Sequence, residues 1–484
     1  MSSILRNSIF MGLFNLFGRA SGLIRYWLLV AFLSPSDFAL ITYSFYVGRL
    51  GRHFMDGGLD NLISRDGARE TGKIATYLFH GLLLKSILAL VFFGGVFYYL
   101  AVLRGKSGSE LTVIYISLAG SAMLSLTGVL RSGFTAIERM EYVFYTNLPA
   151  RMLSIFILFL AVYFSMPLAA AAGAVSLENF LWFYLLAAAG LRFFSFITPV
   201  SFSTIQYMLS ESWSLALYGF FNVFYLSLDV MMIEYLMGGD EAVAPYTYAS
   251  LLIEGVTMVV SGYLIAIYPA LSRYYRENED AYRALFRQSV IVLLSITIPV
   301  SVLLAGWAHG WMNFIRETGM ISSQVLAVLS ATLNLSVLNT LVIVVFTSRN
   351  RQRWLVAFTG GAVVVSFLTN WFFIRWFGQV GAAGASFLSQ FILLAVMGWI
   401  AWRLFALPIP MGKAGGILLV SLLAGGMTRL IPGLPLLTVP FVYGIILLGL
   451  ARLLGVMTQE EISRIAHGMR RQGGEIPPRD GVSL

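Results

Sequence analysis

Apolar stretches of about 20 residues, separated by short polar loops, run along almost all of this 484-residue chain. At the length a helix needs to cross a bilayer, the pattern predicts about fourteen spans. Their cores lie near 9–33, 38–62, 76–103, 111–130, 142–164, 167–190 and 213–237. They continue at 244–270, 289–308, 321–346, 354–374, 381–402, 414–431 and 436–453. Two pairs turn back tightly, near Met166-Pro167 and at Ile431-Pro432-Gly433. The longest internal loop, Ser272 to Gln288, reads as an interfacial amphipathic helix. Thr458 to Glu461 reads as a capping box opening a short helix in a polar tail.

Loop charge tests this pattern. With the N-terminus in the cytoplasm, the inside loops hold most of the basic residues, among them Arg65, Arg69, Lys73, Arg131, Arg139, Arg273, Arg283 and Arg349. The outside loops hold only Arg104, Lys106, Arg316, Arg375 and Arg429. Such asymmetry is the positive-inside signature, and it places both termini in the cytoplasm. The first apolar run carries two arginines and lacks a small-x-small cleavage site, so it is expected to be a retained span.

A weak internal repeat divides the chain. Phe14-Asn-Leu-Phe17 matches Phe221-Asn-Val-Phe224, and Phe38-Ala-Leu-Ile-Thr-Tyr-Ser44 matches Val243-Ala-Pro-Tyr-Thr-Tyr-Ala249. Both copies begin on the same side, so the repeat is parallel. The expected fold is therefore an all-α polytopic membrane protein with two pseudo-symmetric six-helix lobes around a central cavity. Residues 1–192 form the first lobe, 193–212 a linker and 213–403 the second lobe. Two further helices occupy 404–456, and 457–484 form a cytoplasmic tail.

Composition removes several function classes. Residues are 58% hydrophobic and only 11% charged, which leaves no room for a large soluble domain. Cysteine is absent, so no disulfide framework or thiolate metal site exists. The four histidines are scattered without metal-ligand spacing, and no metal or other cofactor is expected. The net charge of +9 is topological rather than a nucleic-acid footprint, because the basic residues cluster in one set of loops. The Gly/Ala-rich turn at 378–384 lacks a P-loop Lys-Ser/Thr and follows no strand, so ATP does not act directly.

The candidate chemistry is intramembrane charge. Arg19 and Arg25 interrupt the first span; Arg49 and Arg52 interrupt the second. Arginine near mid-bilayer costs about 2.5–3.5 kcal/mol on insertion scales, so four in two helices point to a cation-lined cavity for an anionic cargo. Arg19 and Arg25 lie ~120° apart around a straight helix, whereas Arg49 and Arg52 share a face. Rival roles are an ion pair between helices, snorkelling, or an intrahelical bridge from Arg52 to Asp56 or Asp60. Lys85 and Arg151 are either cavity cations or snorkelling side chains. Asp229, Glu234 and Glu254 are carboxylates in the second lobe, placed for ion coupling or gating, or for structural pairing. In the repeat Glu254 aligns with Arg49, which invites a salt bridge between lobes.

Three segments carry a family resemblance. They are Phe17-Gly-Arg-Ala-Ser-Gly-Leu-Ile-Arg25 with Leu33-Ser-Pro-Ser-Asp-Phe38, then Leu228-Asp229 with Tyr246-Thr-Tyr-Ala249 and Tyr268-Pro-Ala-Leu-Ser272. The most distinctive is Asn370-Trp-Phe-Phe-Ile-Arg375 with Phe377-Gly-Gln-Val-Gly-Ala-Ala-Gly-Ala-Ser386. Together they resemble the polysaccharide flippases of the multidrug/oligosaccharidyl-lipid/polysaccharide exporter superfamily, over most of residues 1–403.

The resemblance implies a non-enzymatic carrier with twelve to fourteen helices in two lobes. It would move polyprenyl-pyrophosphate-linked oligosaccharide (an O-antigen, capsule or exopolysaccharide repeat unit) across a bacterial or archaeal cytoplasmic membrane. Contact with membrane lipids is expected, and the second-lobe carboxylates suggest a proton or sodium ion for coupling, with glycan polymerases as further expected partners. Lipid II flippases of the superfamily resemble the chain further, with cavity arginines spaced much as Arg19, Arg25 and Arg52 are. Gly51-Arg52 stands where a paired arginine would be, leaving open which of Arg49 and Arg52 reaches the cargo. Two alternatives remain: a multidrug exporter, which needs an acidic cavity, and a membrane glycosyltransferase or ligase, which needs a large outside loop.

Overall fold

A computed structural model describes residues 3–105, 108–195, 198–238, 242–315, 320–349, 351, 353–408 and 410–454. The expected capping box at Thr458 lies outside them. Among the described residues every regular element is helical. The first seven α-helices are α1 (Ser3–Phe32), α2 (Pro35–Asp56), α3 (Leu59–Arg69), α4 (Ile74–Phe97), α5 (Ser109–Ala136), α6 (Met140–Tyr163) and α7 (Leu168–Gly190). Then follow α8 (Phe202–Met237), α9 (Val243–Glu277), α10 (Glu279–Gly306), α11 (Ala308–Ile315) and α12 (Met320–Ser348). The last three are α13 (Arg353–Phe405), α14 (Met411–Arg429) and α15 (Val439–Leu453).

Length and composition qualify 11 helical segments as candidate membrane spans, fewer than the pattern predicted. The arginine-bearing α1 and α2 are not among them, and one 52-residue segment, Trp354–Phe405, covers two predicted spans. That segment folds at Gly378, whose φ of 57° suits a residue without a side chain. Three residues on, a Cβ on Gly381 would stand 1.9 Å from the Phe373 carbonyl oxygen, so only glycine closes this turn.

Three boundaries differ from expectation, each for a local reason. The second predicted span breaks after Asp56, because Gly57 and Gly58 adopt φ of 52° and 73° and start a new helix, α3. The linker at 193–212 is helical from Phe202, with the Ser201 hydroxyl capping the Thr204 amide. The loop from Ser272 to Gln288 is no separate interfacial helix. Instead α9 runs to Glu277, and Asn278 caps α10 by accepting from the Ala281 amide at 3.0 Å.

Packing follows the repeat. Within the first group, which we term the N-lobe, α5 packs on α7, α2 and α3, and α6 packs on α1 and α7. Within the second, the C-lobe, α13 packs on α8 and α12, and α12 packs on α9 and α10. α14 lies on α10 and carries α15. Contacts between lobes are reciprocal: α2 meets α8, and α1 meets α9. The repeated segments touch directly, with Phe38 stacked on Tyr248 at 4.7 Å between ring centres.

Candidate functional site

Three of the N-lobe's intramembrane cations, Arg25, Arg151 and Lys85, are neutralised in two clusters. In the first, Glu178 on α7 accepts from Arg151 Nε at 2.8 Å and from Asn147 Nδ2 at 3.3 Å, and it pairs with Arg25. Glu178 is 3% exposed, so this one carboxylate holds α1, α6 and α7 together inside the lobe. Arg151 keeps Nη1 buried without a hydrogen-bond partner. Sequence reasoning passed over Glu178, although it is the lone carboxylate in the span 167–190, which is itself the signal that could have found it.

Lys85 anchors the second cluster. Its ammonium group donates to Asp56 at 2.8 Å, Asp60 at 2.7 Å and the Ser125 carbonyl at 2.9 Å. All three N–H donors are thereby occupied, and the residue is 1% exposed. Neither cavity binding nor snorkelling describes it in this state. Arg131 adds a longer contact to Asp60 at 3.6 Å.

Because Lys85 takes both aspartates, Arg52 is left without the intrahelical bridge that its spacing allowed. Its guanidinium lies 3.1 Å from His53 Nε2, and among the described residues no carboxylate lies within ion-pair distance. Arg49 crosses to the C-lobe, donating to the Leu226 carbonyl and the Ser227 hydroxyl at 3.2 Å each. It also covers the Tyr46 ring at 4.8 Å. The expected Arg49–Glu254 salt bridge is not formed, since the α8 acceptors take up the guanidinium instead. The Arg19 side chain lies outside the described residues.

The C-lobe treats charge differently. Asp229 accepts from Tyr246 Oη at 2.6 Å, from Asn370 Nδ2 at 2.8 Å and from the Ser386 hydroxyl. These donors come from α9 and from both arms of α13, so the fold at Gly378 assembles the cage. All three are neutral. Glu234 instead reaches the N-lobe, pairing with Arg104 at 3.1 Å. That ion pair and the Phe38–Tyr248 stack latch the lobes at the end where α2 and α9 begin. Glu254 lines a cavity between α9 and α12 and makes no ion pair among the described residues.

At the other end of α8, Arg65 binds Asp66 at 2.8 Å and Glu211 at 3.2 Å, and the Tyr207 hydroxyl donates to Asp66 at 2.9 Å. The Arg65 hydrogen bond holds the Asp66 carboxyl below the usual range, with burial acting against it. Between α2, α4 and α8 runs an apolar groove of about 370 Å³, lined by residues such as Tyr43, Phe54, Phe92, Leu100 and Met231.

Known proteins agree with this architecture. The model of the family described as polysaccharide biosynthesis protein matches residues 4–275. No curated protein sequence matches the chain. Among solved structures, a lipid II flippase MurJ in an inward closed conformation superposes with a TM-score of 0.75 at 13% identity, covering 93% of this chain and 98% of that one. An inward-facing multidrug resistance MATE family transporter of the MOP superfamily gives 0.62 at 17% identity, covering 84% and 99%. A MOP superfamily transporter from Pyrococcus furiosus, described as having a binding pocket of reverse polarity, gives 0.59 at 14%, covering 84% and 95%. These structures are transporters rather than enzymes, and at such identity they speak to fold alone. With its two helical lobes, buried charge and matched family model, the chain belongs to the polysaccharide biosynthesis protein family and has the fold of a multi-pass MOP superfamily transporter.

Proposed function

We propose that this protein is a flippase for polyprenyl-pyrophosphate-linked oligosaccharide, such as an O-antigen, capsule or exopolysaccharide repeat unit. It works in a bacterial or archaeal cytoplasmic membrane with both termini inside. The observation that carries this reading is Arg52, an intramembrane cation with no carboxylate within ion-pair distance among the described residues, one turn from Arg49 at the lobe interface. An intramembrane cation with no direct carboxylate partner is unfavourable, and an arriving pyrophosphate relieves it with charge-assisted hydrogen bonds. Arg49 can leave its neutral α8 acceptors for the same anion. Arg25 and Arg151 contribute through Glu178, and Lys85 keeps α2, α3 and α4 in register.

The lipid tail stays in the bilayer, and the apolar groove between α2, α4 and α8 is a lateral path between the lobes. Rocking of the lobes then opens the latch formed by Arg104 and Glu234, in alternating access. Asp229 is the coupling site. A carboxylate ringed by neutral donors keeps its own charge available for a proton or sodium ion, whereas a paired one does not. Lipid II, the cargo named for the MurJ structure, is the second reading. It presents the same pyrophosphate, and the arginines at the lobe interface support an anionic cargo over a cationic drug.

The test is transbilayer movement of a polyprenyl-pyrophosphate-linked oligosaccharide in proteoliposomes under an imposed potential, with lipid II as competitor. Wild type should move the glycolipid, and Arg52→Gln should slow it at least about tenfold, the scale of one charge-assisted contact. Unchanged movement in Arg52→Gln, or none by wild type, overturns the proposal.

A further inference from the structure

The cavity between α9 and α12 has a volume of about 350 Å³ and a chemistry unlike the charge clusters. Glu254, Thr257, Ser261, Ser336 and Thr340 line it, beside apolar residues including Val337. Three of the hydroxyls direct their protons to the helices themselves. Thr257 donates to the Glu254 carbonyl at 2.9 Å, Ser261 to the Met258 carbonyl at 2.8 Å and Thr340 to the Ser336 carbonyl at 2.9 Å. What Thr257 and Thr340 offer the cavity is therefore oxygen lone pairs. With the exposed Glu254 carboxylate they form a shelf rich in acceptors, so a matching ligand must bring donors.

Geometry narrows the ligand class. From Glu254 to Ser261, α9 rises roughly 10 Å at 1.5 Å per residue. A bare cation gathers its oxygens at about 2.3–2.6 Å, so one ion takes only part of this row and leaves the rest of the shelf unfilled. A neutral polyol satisfies the remaining conditions. Its O–H groups donate along an edge, adjacent hydroxyls suit a two-oxygen carboxylate, and its C–H face suits an apolar floor.

We infer that this shelf is the glycan subsite of the carrier: Glu254 and the Ser/Thr row receive the hydroxyls of the cargo's sugars, while the pyrophosphate lies toward Arg49 and Arg52. The inference rests on the reading of the cargo as a lipid-linked glycan. Glu254 then selects cargo, and coupling belongs to Asp229 alone.

The experiment measures binding to protein in lipid nanodiscs of two probes, undecaprenyl pyrophosphate and the same lipid carrying a neutral hexose trisaccharide. Wild type should prefer the glycosylated probe by roughly tenfold, as expected for a hydrogen bond or two to a charged acceptor. Glu254→Gln, and separately Ser336→Ala with Thr340→Val, should remove most of that preference and leave affinity for the bare lipid unchanged. All of these side chains line a cavity, so the substitutions spare the packed core. A preference that survives both variants overturns the subsite. If wild type binds both probes equally, the subsite fails while the flippase reading stands. If wild type binds neither, that reading fails and the subsite with it.

Discussion

The two lobes share a helical plan but partner their intramembrane carboxylates differently. The N-lobe buries cations and surrounds them with carboxylates: Glu178 serves Arg25 and Arg151, while Asp56 and Asp60 serve Lys85. The C-lobe also pairs Arg349 with Glu279, but it surrounds its half-buried carboxylate Asp229 with a phenol, an amide and a hydroxyl. Paired ions hold helices in place. A charge held by neutral groups keeps its field and can exchange a counter-ion. The difference separates a scaffold whose intramembrane charge is largely paired, with Arg49 and Arg52 as exceptions, from a half in which Asp229 keeps its charge available.

The sharpest way to break this contrast is to remove a shared partner. Lys85→Met strands Asp56 and Asp60 and should destabilise the N-lobe by about 3–5 kcal/mol, as expected when one member of a buried ion cluster is lost. Thermal unfolding in detergent measures it; a melting temperature equal to wild type would mean the cluster does not hold the lobe. Glu178→Ala strands two guanidinium groups, one of them less deeply buried. A loss of about 2–4 kcal/mol is expected, with part recovered in Glu178→Ala combined with Arg151→Met.

In the C-lobe the same kind of change should act on function instead. Asp229→Asn keeps shape and most hydrogen bonds, so stability should move by only about 1 kcal/mol. Transport driven by an ion gradient should nevertheless be lost in proteoliposomes. A variant that unfolds like Lys85→Met would make Asp229 a structural residue and erase the contrast.

The smallest effect expected is with pH. A carboxylate whose folded pKa is depressed adds stability above its unfolded value of about 3.9, and surrenders it as pH falls through the lower folded value. Asp66 is such a group. The α3–α8 junction should therefore be insensitive to pH near neutrality and loosen only in acid below about pH 4. Hydrogen exchange of the α8 N-terminal turns reads this directly, and Asp66→Asn should flatten the response. Glu211, which is exposed, should matter less than Asp66.

Much of the fold was legible because its signals are local. Apolar length marks the helices, and Gly378 with Gly381 marks the turn inside α13. Two boundaries were missed because a cap outweighed composition: Asn278 ended the expected surface helix, and Ser201 began α8 early. Glycines at 57 and 58 were equally visible but lay inside a run whose hydropathy hid the break. The candidate site was legible only as an inventory. Arg25, Lys85 and Arg151 stood out as intramembrane cations, yet spacing along one helix offered Asp56 and Asp60 to Arg52 rather than to Lys85.

By itself, then, the sequence determined that this is a helical membrane protein, that the chain turns at the glycines around 378–381, and which residues bring charge into the bilayer. These follow from the length of apolar runs and from backbone preferences that act within a few residues. Only the tertiary structure decided that Lys85 takes the two aspartates, that Glu178 gathers two arginines from other helices, and that Arg52 is left without a carboxylate. Ion pairing depends on distances between helices far apart in the chain. A carboxylate close in space wins over one close in sequence.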